Sequence, residues 1–279
     1  MAKRRSKKTG GNLAAIREVR NLDLHFNNMH DYTNYLEVIW AKMPKMYKDN
    51  ILEFAGQEEI GMFDKLINGT HEYLERFNHK AHVLEVHGAN NEYYNDVTGL
   101  FFDTVIFVTG SPECWLDNSM NIENKFLTIY VNASYSGGTS EEEVFNKFVT
   151  IAALIDNLES SGTRVELIIC SNGTSNDVWQ NKYDGNTNLS VKVKKHGDIL
   201  NIQALVYQLC STAMLRIASF ITRYDLVGQY YGAYICRAKD EKKGFINDVL
   251  YIPSMYWDNA NGISWSNTIP VNGYIDSLK

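Results

Sequence analysis

A chain of 279 residues can bury about 70–75% of its unfolded surface, and a content of 44% hydrophobic, 22% charged and 12% aromatic residues excludes a disordered protein. The formal net charge of −6 is unevenly spread, because Lys3, Arg4, Arg5, Lys7 and Lys8 put five of the 27 basic residues in the first eight positions and leave 22 basic against 33 acidic residues. An acidic body repels a phosphate backbone, so contact with nucleic acid is expected only through this basic tail.

Residues 1–20 read as a disordered tail, punctuated by Gly10-Gly11 and weakly helical at Leu13 to Val19. No apolar h-region follows the charged start, and no run approaches the ~18 apolar residues of a membrane span. Residues 21–98 are expected to form a mostly helical N-terminal region. Tyr32, Tyr35, Leu36, Ile39 and Trp40 recur at helical spacing until Pro44, and Ile60, Phe63, Ile67, Leu74 and Phe77 line a second helix that Asn68-Gly69 is placed to break. Gly88 to Asp96 reads as the loop that ends the region.

Residues 99–279 are expected to form an α/β domain. Phe101 to Val108 and Phe126 to Val131 read as strands, the second buried on both faces. Ser140 to Glu143 has the pattern of a capping box, and the apolar positions from Val144 to Leu158 then hold one helical face until Ser160-Ser161-Gly162. Arg164 to Cys170 follows as a strand, which completes a β-α-β crossover and predicts parallel pairing. Leu189 to Lys195 alternates like a strand nearer an edge, where Lys192, Lys194 and Lys195 would guard against strand pairing. Asp198 is placed to cap a long apolar helix from Ile199 to about Thr222, within which Arg216 is expected to form an ion pair. Gly232 to Arg237 and Asp248 to Ile252 read as further strands, and Trp257 to Lys279 as turn-rich. The alternation over residues 101–255 points to a Rossmann-like, mostly parallel sheet with flanking helices.

Ligands of such sheets bind beyond the carboxyl ends of the strands. Here that position holds Asn132-Ala133-Ser134-Tyr135-Ser136, between a buried strand and a long helix. Read as Asn-x-Ser-x-Ser, it resembles the metal-ion-dependent adhesion motif Asp-x-Ser-x-Ser of the von Willebrand factor A family. That resemblance implies Mg²⁺ held by Ser134 and Ser136, with Asn132 at the position of the aspartate. The missing carboxylate weakens such a site, since Mg²⁺ favours carboxylate oxygen, and no distal ligand stands out beyond Thr174, Asp177 and Asp198 on loops. Asn132, Ser134 and Ser136 also suit a plain strand-to-helix turn. The stretches Gly110 to Trp115, Val131 to Gly138, Ala152 to Leu167 and Val191 to Phe220 further resemble uncharacterised bacteriophage and mobile-element proteins with a degenerate A-type domain.

Cys114, Cys170, Cys210 and Cys236 show no paired spacing and read as buried thiols of a reducing, cytoplasmic setting, the host cytoplasm for a viral protein. His71, His79, His82 and His87 fit no zinc spacing. Tyr251, Tyr256, Trp257, Trp265 and Tyr274 suit core closure better than base stacking. No phosphate-binding loop, dinucleotide fingerprint, zinc-protease or nucleophile-elbow motif occurs, and nothing pairs a base with Ser134 or Ser136. The resulting expectation is a non-enzymatic interaction or scaffold protein with a protein partner. Nucleic-acid binding through Lys3, Arg4, Arg5, Lys7 and Lys8 is the first alternative, and Mg²⁺-dependent capture at Asn132, Ser134 and Ser136 the second.

Overall fold

The computed structural model describes residues 18–56, 61–81, 94–96, 101–102, 115–117, 125–135, 138–176, 183–227, 233–235, 242–247 and 249–278. In chain order these form β1 (Glu18–Phe26), α1 (Met29–Lys42), α2 (Lys45–Ala55), α3 (Met62–Asn68), α4 (His71–Ala81), β2 (Tyr94–Asp96), β3 (Phe101–Phe102) and β4 (Trp115–Asp117). There follow β5 (Phe126–Asn132), α5 (Glu141–Ser160), β6 (Arg164–Asn176), β7 (Tyr183–Lys194), α6 (Ile202–Cys210), α7 (Thr212–Val227) and β8 (Ala233–Ile235). The chain closes with β9 (Gly244–Ile246), β10 (Val249–Ile252), α8 (Met255–Ala260) and α9 (Val271–Ser277).

The architecture is α/β, with helices flanking a seven-stranded sheet of order β1-β7-β6-β5-β10-β9 and β8 paired to the far end of β6. The crossover β5-α5-β6 is parallel, as the spacing predicts, and β10 joins β5 in parallel on its other side. β6 and β7 form a long antiparallel pair, β9 and β10 a short one, so the sheet is mixed. β2, β3 and β4 pair in a separate three-stranded sheet. Phe101-Phe102 therefore belongs to that small sheet rather than to the main one, and the rest of the strand expected to Val108 lies outside the described residues.

Two expectations about the edges change together. The tail was expected to run to residue 20, yet β1 starts at Glu18 and pairs in parallel with β7 along its whole length. β7 is consequently an inner strand between β1 and β6. Side chains pin the register, with His25 Nδ1 2.6 Å from Ser190 Oγ and Asn188 Nδ2 donating to Asp23 Oδ1 at 2.7 Å. Lys192 and Lys194 lie just past the end of β1, whose last residue, Phe26, faces Val191, and both lysine side chains are held in ion pairs. Lys192 pairs with Glu166 at 2.7 Å, and Lys194, 4% exposed, pairs with Glu159 at 2.8 Å and donates to the carbonyls of Val165 and Lys195.

The helical region expected over residues 21–98 packs against this same sheet. Tyr32, Leu36, Ile39 and Trp40 of α1 share a core with Leu189 and Val191 of β7 and with Ile217 and Ile221 of α7. A second core joins Ile129, Val131, Leu167 and Leu250 of the sheet to Phe145, Phe148, Ile151 and Ile155 of α5. The predicted break at Asn68-Gly69 falls between α3 and α4. Gly69 has φ of 69°, and a Cβ there would stand 2.3 Å from the Gln203 carbonyl oxygen, so only glycine lets this turn approach α6. The long helix expected from Ile199 is in fact α6 and α7, bent by 65° around Ser211. Its cap is Asn201, whose side chain accepts from the Ala204 amide, while Asp198 accepts from the Lys195 amide in the preceding turn. Among the described residues no single helix is long and apolar enough to cross a membrane.

The C-terminal segment, expected as turn-rich, is held by three side chains of α5. Lys147 donates to the Pro253 carbonyl at 2.6 Å and to Asp258 Oδ2 at 2.6 Å, Asn146 donates to the Trp265 carbonyl, and Thr150 to the Ile269 carbonyl. Asp258 also accepts from the Trp265 indole at 2.8 Å and the Tyr274 hydroxyl at 3.3 Å, and the two rings meet edge to face. Lys147, Asp258 and Trp265 are fully buried. Of the five aromatic residues expected to close the core, Trp265 and Tyr274 do so, Tyr251 and Trp257 are half-buried, and Tyr256 is exposed.

Removing one member of a fully buried ion pair strands the other charge, so Lys147→Met should destabilise the protein by about 3–5 kcal/mol in urea unfolding. Lys147→Met combined with Asp258→Leu should recover only part of that, because the Trp265 and Tyr274 donors then lack their acceptor. Burial also pushes the Tyr207 hydroxyl up from 10.0 to about 12, with the neighbouring Tyr73 adding to the rise. Its neutral form stabilises the fold fully below pH 10, and that contribution is lost as pH rises from 10.0 to about 12. Tyr207→Phe should flatten the decline in stability over that window, followed by alkaline unfolding.

Candidate functional site

The carboxyl end of β5 is closed by its own hydrogen bonds. Asn132 Oδ1 accepts from the Ser134 amide at 3.0 Å, the Ala133 amide donates to the Cys170 carbonyl at 2.8 Å, and the Met255 amide donates to the Ser134 carbonyl at 3.2 Å. Ser134 Oγ lies 3.2 Å from Ser171 Oγ on β6. Asn132 and Ser134 are each 5% exposed. The local logic is that of a short polar side chain capping the backbone two residues on, which lets the chain leave β5 and turn towards α5. Ser136 lies outside the described residues.

The helix that follows has the expected capping box. The Glu143 amide donates to Ser140 Oγ, and the Ser140 amide donates to Glu143 Oε2. The Ser140 amide and hydroxyl, both donating to Glu143 Oε2, hold the Glu143 carboxyl below its ordinary value. Arg216 reaches this turn from α7, donating to the Thr139 carbonyl at 3.2 Å with its guanidinium 5.6 Å from the Tyr135 ring and 5.5 Å from Phe54. It stands between aromatic faces and was expected in an ion pair; among the described residues no carboxylate pairs with it. An aromatic contact suits guanidinium here because its flat faces are weakly hydrated.

The ligands considered for a distal position do not gather at this turn. Thr174 lies within β6 opposite Asn186 and Ile235, Asp177 lies outside the described residues, and Asp198 sits at the other end of the sheet beside Lys195. Among the described residues no three His, Cys, Asp or Glu side chains are placed to hold a metal ion. His71 faces Glu75 on the exposed side of α4, while His82 and His87 lie outside the described residues. So do Lys3, Arg4, Arg5, Lys7 and Lys8.

Behind the turn, on the helix-covered side of the sheet, is a cavity of about 60 Å³. Leu66, Ala133, Ile169, Ser171, Gln208 and Leu215 are among its walls. Gln208 is 6% exposed, and its amide nitrogen donates to the Leu66 carbonyl at 2.6 Å. Among the described residues its amide oxygen, itself enclosed, has no hydrogen-bond partner. Sequence reasoning passed over Gln208, although a glutamine within the apolar run Ala204 to Cys210 is a visible signal. Nearby, burial pushes the Cys210 thiol up, with Arg76 pulling the other way, whereas Cys170 is only half-buried. The expectation of buried thiols holds for Cys210, and Cys114 and Cys236 lie outside the described residues.

Residues 6–274 match the model of a family described as Domain of unknown function (DUF7192). The chain belongs to the DUF7192 family. The match crosses the boundary expected near residue 98, as do the shared core and strand β1. No curated protein and no solved structure matches the chain.

If the Asn132 side chain serves this DUF7192 chain as a turn cap, Asn132→Ala strands the buried Ser134 amide. Urea unfolding should then report a loss of about 1–3 kcal/mol, and an unchanged midpoint would refute the capping role.

Proposed function

We propose that this protein works by binding another protein, as a non-catalytic scaffold of a phage or mobile element acting in the host cytoplasm. In this reading its Rossmann-like fold is a von Willebrand factor A-like domain whose adhesion turn has lost its metal and kept its shape. The observation that supports the reading is the β9 edge. β9 is paired on one side only among the described residues, and Phe245 and Ile246 are 62% and 42% exposed on it. Consecutive strand residues point to opposite faces, so this edge offers an apolar side chain on each face beside open backbone groups. Lys242 and Lys243 precede it, each drawn over a ring of the same domain, Tyr251 and Trp257. An extended partner segment with apolar side chains and acidic flanks fits by strand addition. The hydrogen bonds within the Asn132 turn support the same reading, because they engage groups that Mg²⁺ capture would need.

The test is calorimetry of the full chain against the proteins encoded beside its gene. A binding partner should lose at least about tenfold in affinity to Phe245→Asp, which is 1.4 kcal/mol, at unchanged thermal stability. Equal binding by Phe245→Asp would overturn the edge as the docking surface. Binding of DNA or RNA at low salt that disappears on deleting residues 2–8 would favour the nucleic-acid reading instead. Heat on adding Mg²⁺ that Ser134→Ala abolishes would favour metal-dependent capture.

A further inference from the structure

The main sheet ends at β9 on one side and at β1 on the other, and β1 is the longer edge. It runs nine residues, pairs with β7 without a register shift and, among the described residues, pairs with no other strand. Open edges are ordinarily kept short or interrupted by proline, lysine or a bulge, because unpaired backbone groups template further pairing. The β1 sequence, Glu18 to Phe26, holds neither proline nor lysine. Leu24 and Phe26 pack against the core of α1 and α7 yet stay half-buried, while Asp23 and His25 are exposed.

The order of residues along this edge says what fits it. A second copy of β1 can add antiparallel about a twofold axis normal to the sheet, which requires one residue to lie opposite its own copy. Centred on Leu24, such a pairing sets Leu24 against Leu24, Phe26 against Leu22 and Asp23 against His25, the last two twice by symmetry. Centred on Asp23, it would oppose two carboxylates; centred on Leu22, it would set Glu18 against Phe26 and His25 against Val19. Apolar pairs and opposite charges directly across an antiparallel ladder stabilise it, and like charges destabilise it. Of these registers only the one on Leu24 matches residues on both faces.

Strand β7 holds the two polar side chains ready. Asn188 Nδ2 donates to Asp23 Oδ1, and His25 Nδ1 lies 2.6 Å from Ser190 Oγ. With Ser190 donating to Nδ1, the ring proton sits on Nε2, which can then donate to a carboxylate across the edge. Side chains held before association lose less entropy on pairing.

We propose that β1 is a self-association surface, through which two copies of this chain join antiparallel along Leu22 to Phe26 and continue one sheet across both. His25 of each copy donates to Asp23 of the other, and Leu24 lies on the twofold axis. The contact is independent of the β9 edge, which lies at the opposite end of the strand order and stays open to a different partner.

The experiment is sedimentation equilibrium of the full chain at micromolar concentrations, with amide hydrogen exchange of β1 as a second readout. The wild type should form a dimer, and the amides of Leu22 to Phe26 should exchange more slowly as concentration rises. His25→Asp opposes carboxylates twice across the axis and should weaken the dimer at least about tenfold. Asp23→His combined with His25→Asp exchanges the two charges and should restore association to within about threefold of wild type. Both positions are exposed, and thermal unfolding checks that each variant folds. Asp23→Lys, which sets a cation against His25, takes the place of His25→Asp if that variant does not fold. A wild type that stays monomeric, a dimer as tight in His25→Asp as in wild type, or no recovery in the exchanged variant would overturn the proposal. So would a dimer that Phe245→Asp abolishes and His25→Asp leaves intact, since the contact would then lie at β9.

Discussion

The buried charge pair of Lys147 and Asp258 is the constraint around which the C-terminal segment from Pro253 to Leu278 is organised. Both side chains are fully enclosed, and taking two ions out of water costs several kcal/mol for each. That cost is offset only when attraction and hydrogen bonds are both complete. Here the carboxylate accepts from an ammonium, an indole and a phenol, while the ammonium also serves the Pro253 carbonyl. The pair can therefore form only when α8, the Trp265 turn and α9 are all seated on α5. A segment with few regular elements of its own thus acquires a single position, and with it β10 and the β9 edge come to lie beside β5.

The other half of the molecule depends on apolar contact. α1, α3 and α7 converge on Leu189 and Val191, and β1 covers the flank of β7 that would otherwise be open. Helices and strands that sequence order would separate are thereby parts of one core. The family match over residues 6–274 is in keeping with that continuity. Between the two cores, where the end of β5 meets α6 and α7, packing is incomplete and leaves the cavity beside Gln208. The polar turn above it and the apolar space below it belong to the same junction.

Several features were legible because their physics is local. The capping box at Ser140 and Glu143, the break at Gly69 and the β5-α5-β6 crossover depend on residues within a few positions or on a short periodic run, and each formed as expected. The strand at Glu18–Phe26 was missed although Leu22, Leu24 and Phe26 alternate with Asp23 and His25, because the basic start drew the reading of the whole segment towards a tail. Lys194 and Arg216 were misplaced for a different reason. The partner of each is distant in sequence, Glu159 for the lysine and the Tyr135 and Phe54 rings for the arginine, and no local pattern announces it.

By itself the sequence determined the α/β class, the positions of most helices and inner strands, and the polar turn after β5, since these follow from periodicity and capping. Only the tertiary structure decided that β1 makes β7 an inner strand, that a buried lysine fastens the C-terminal segment, and that the Gln208 amide oxygen is enclosed without a donor among the described residues. Those outcomes turn on which surfaces meet across the fold, where burial changes what a charge or an amide must find as a partner.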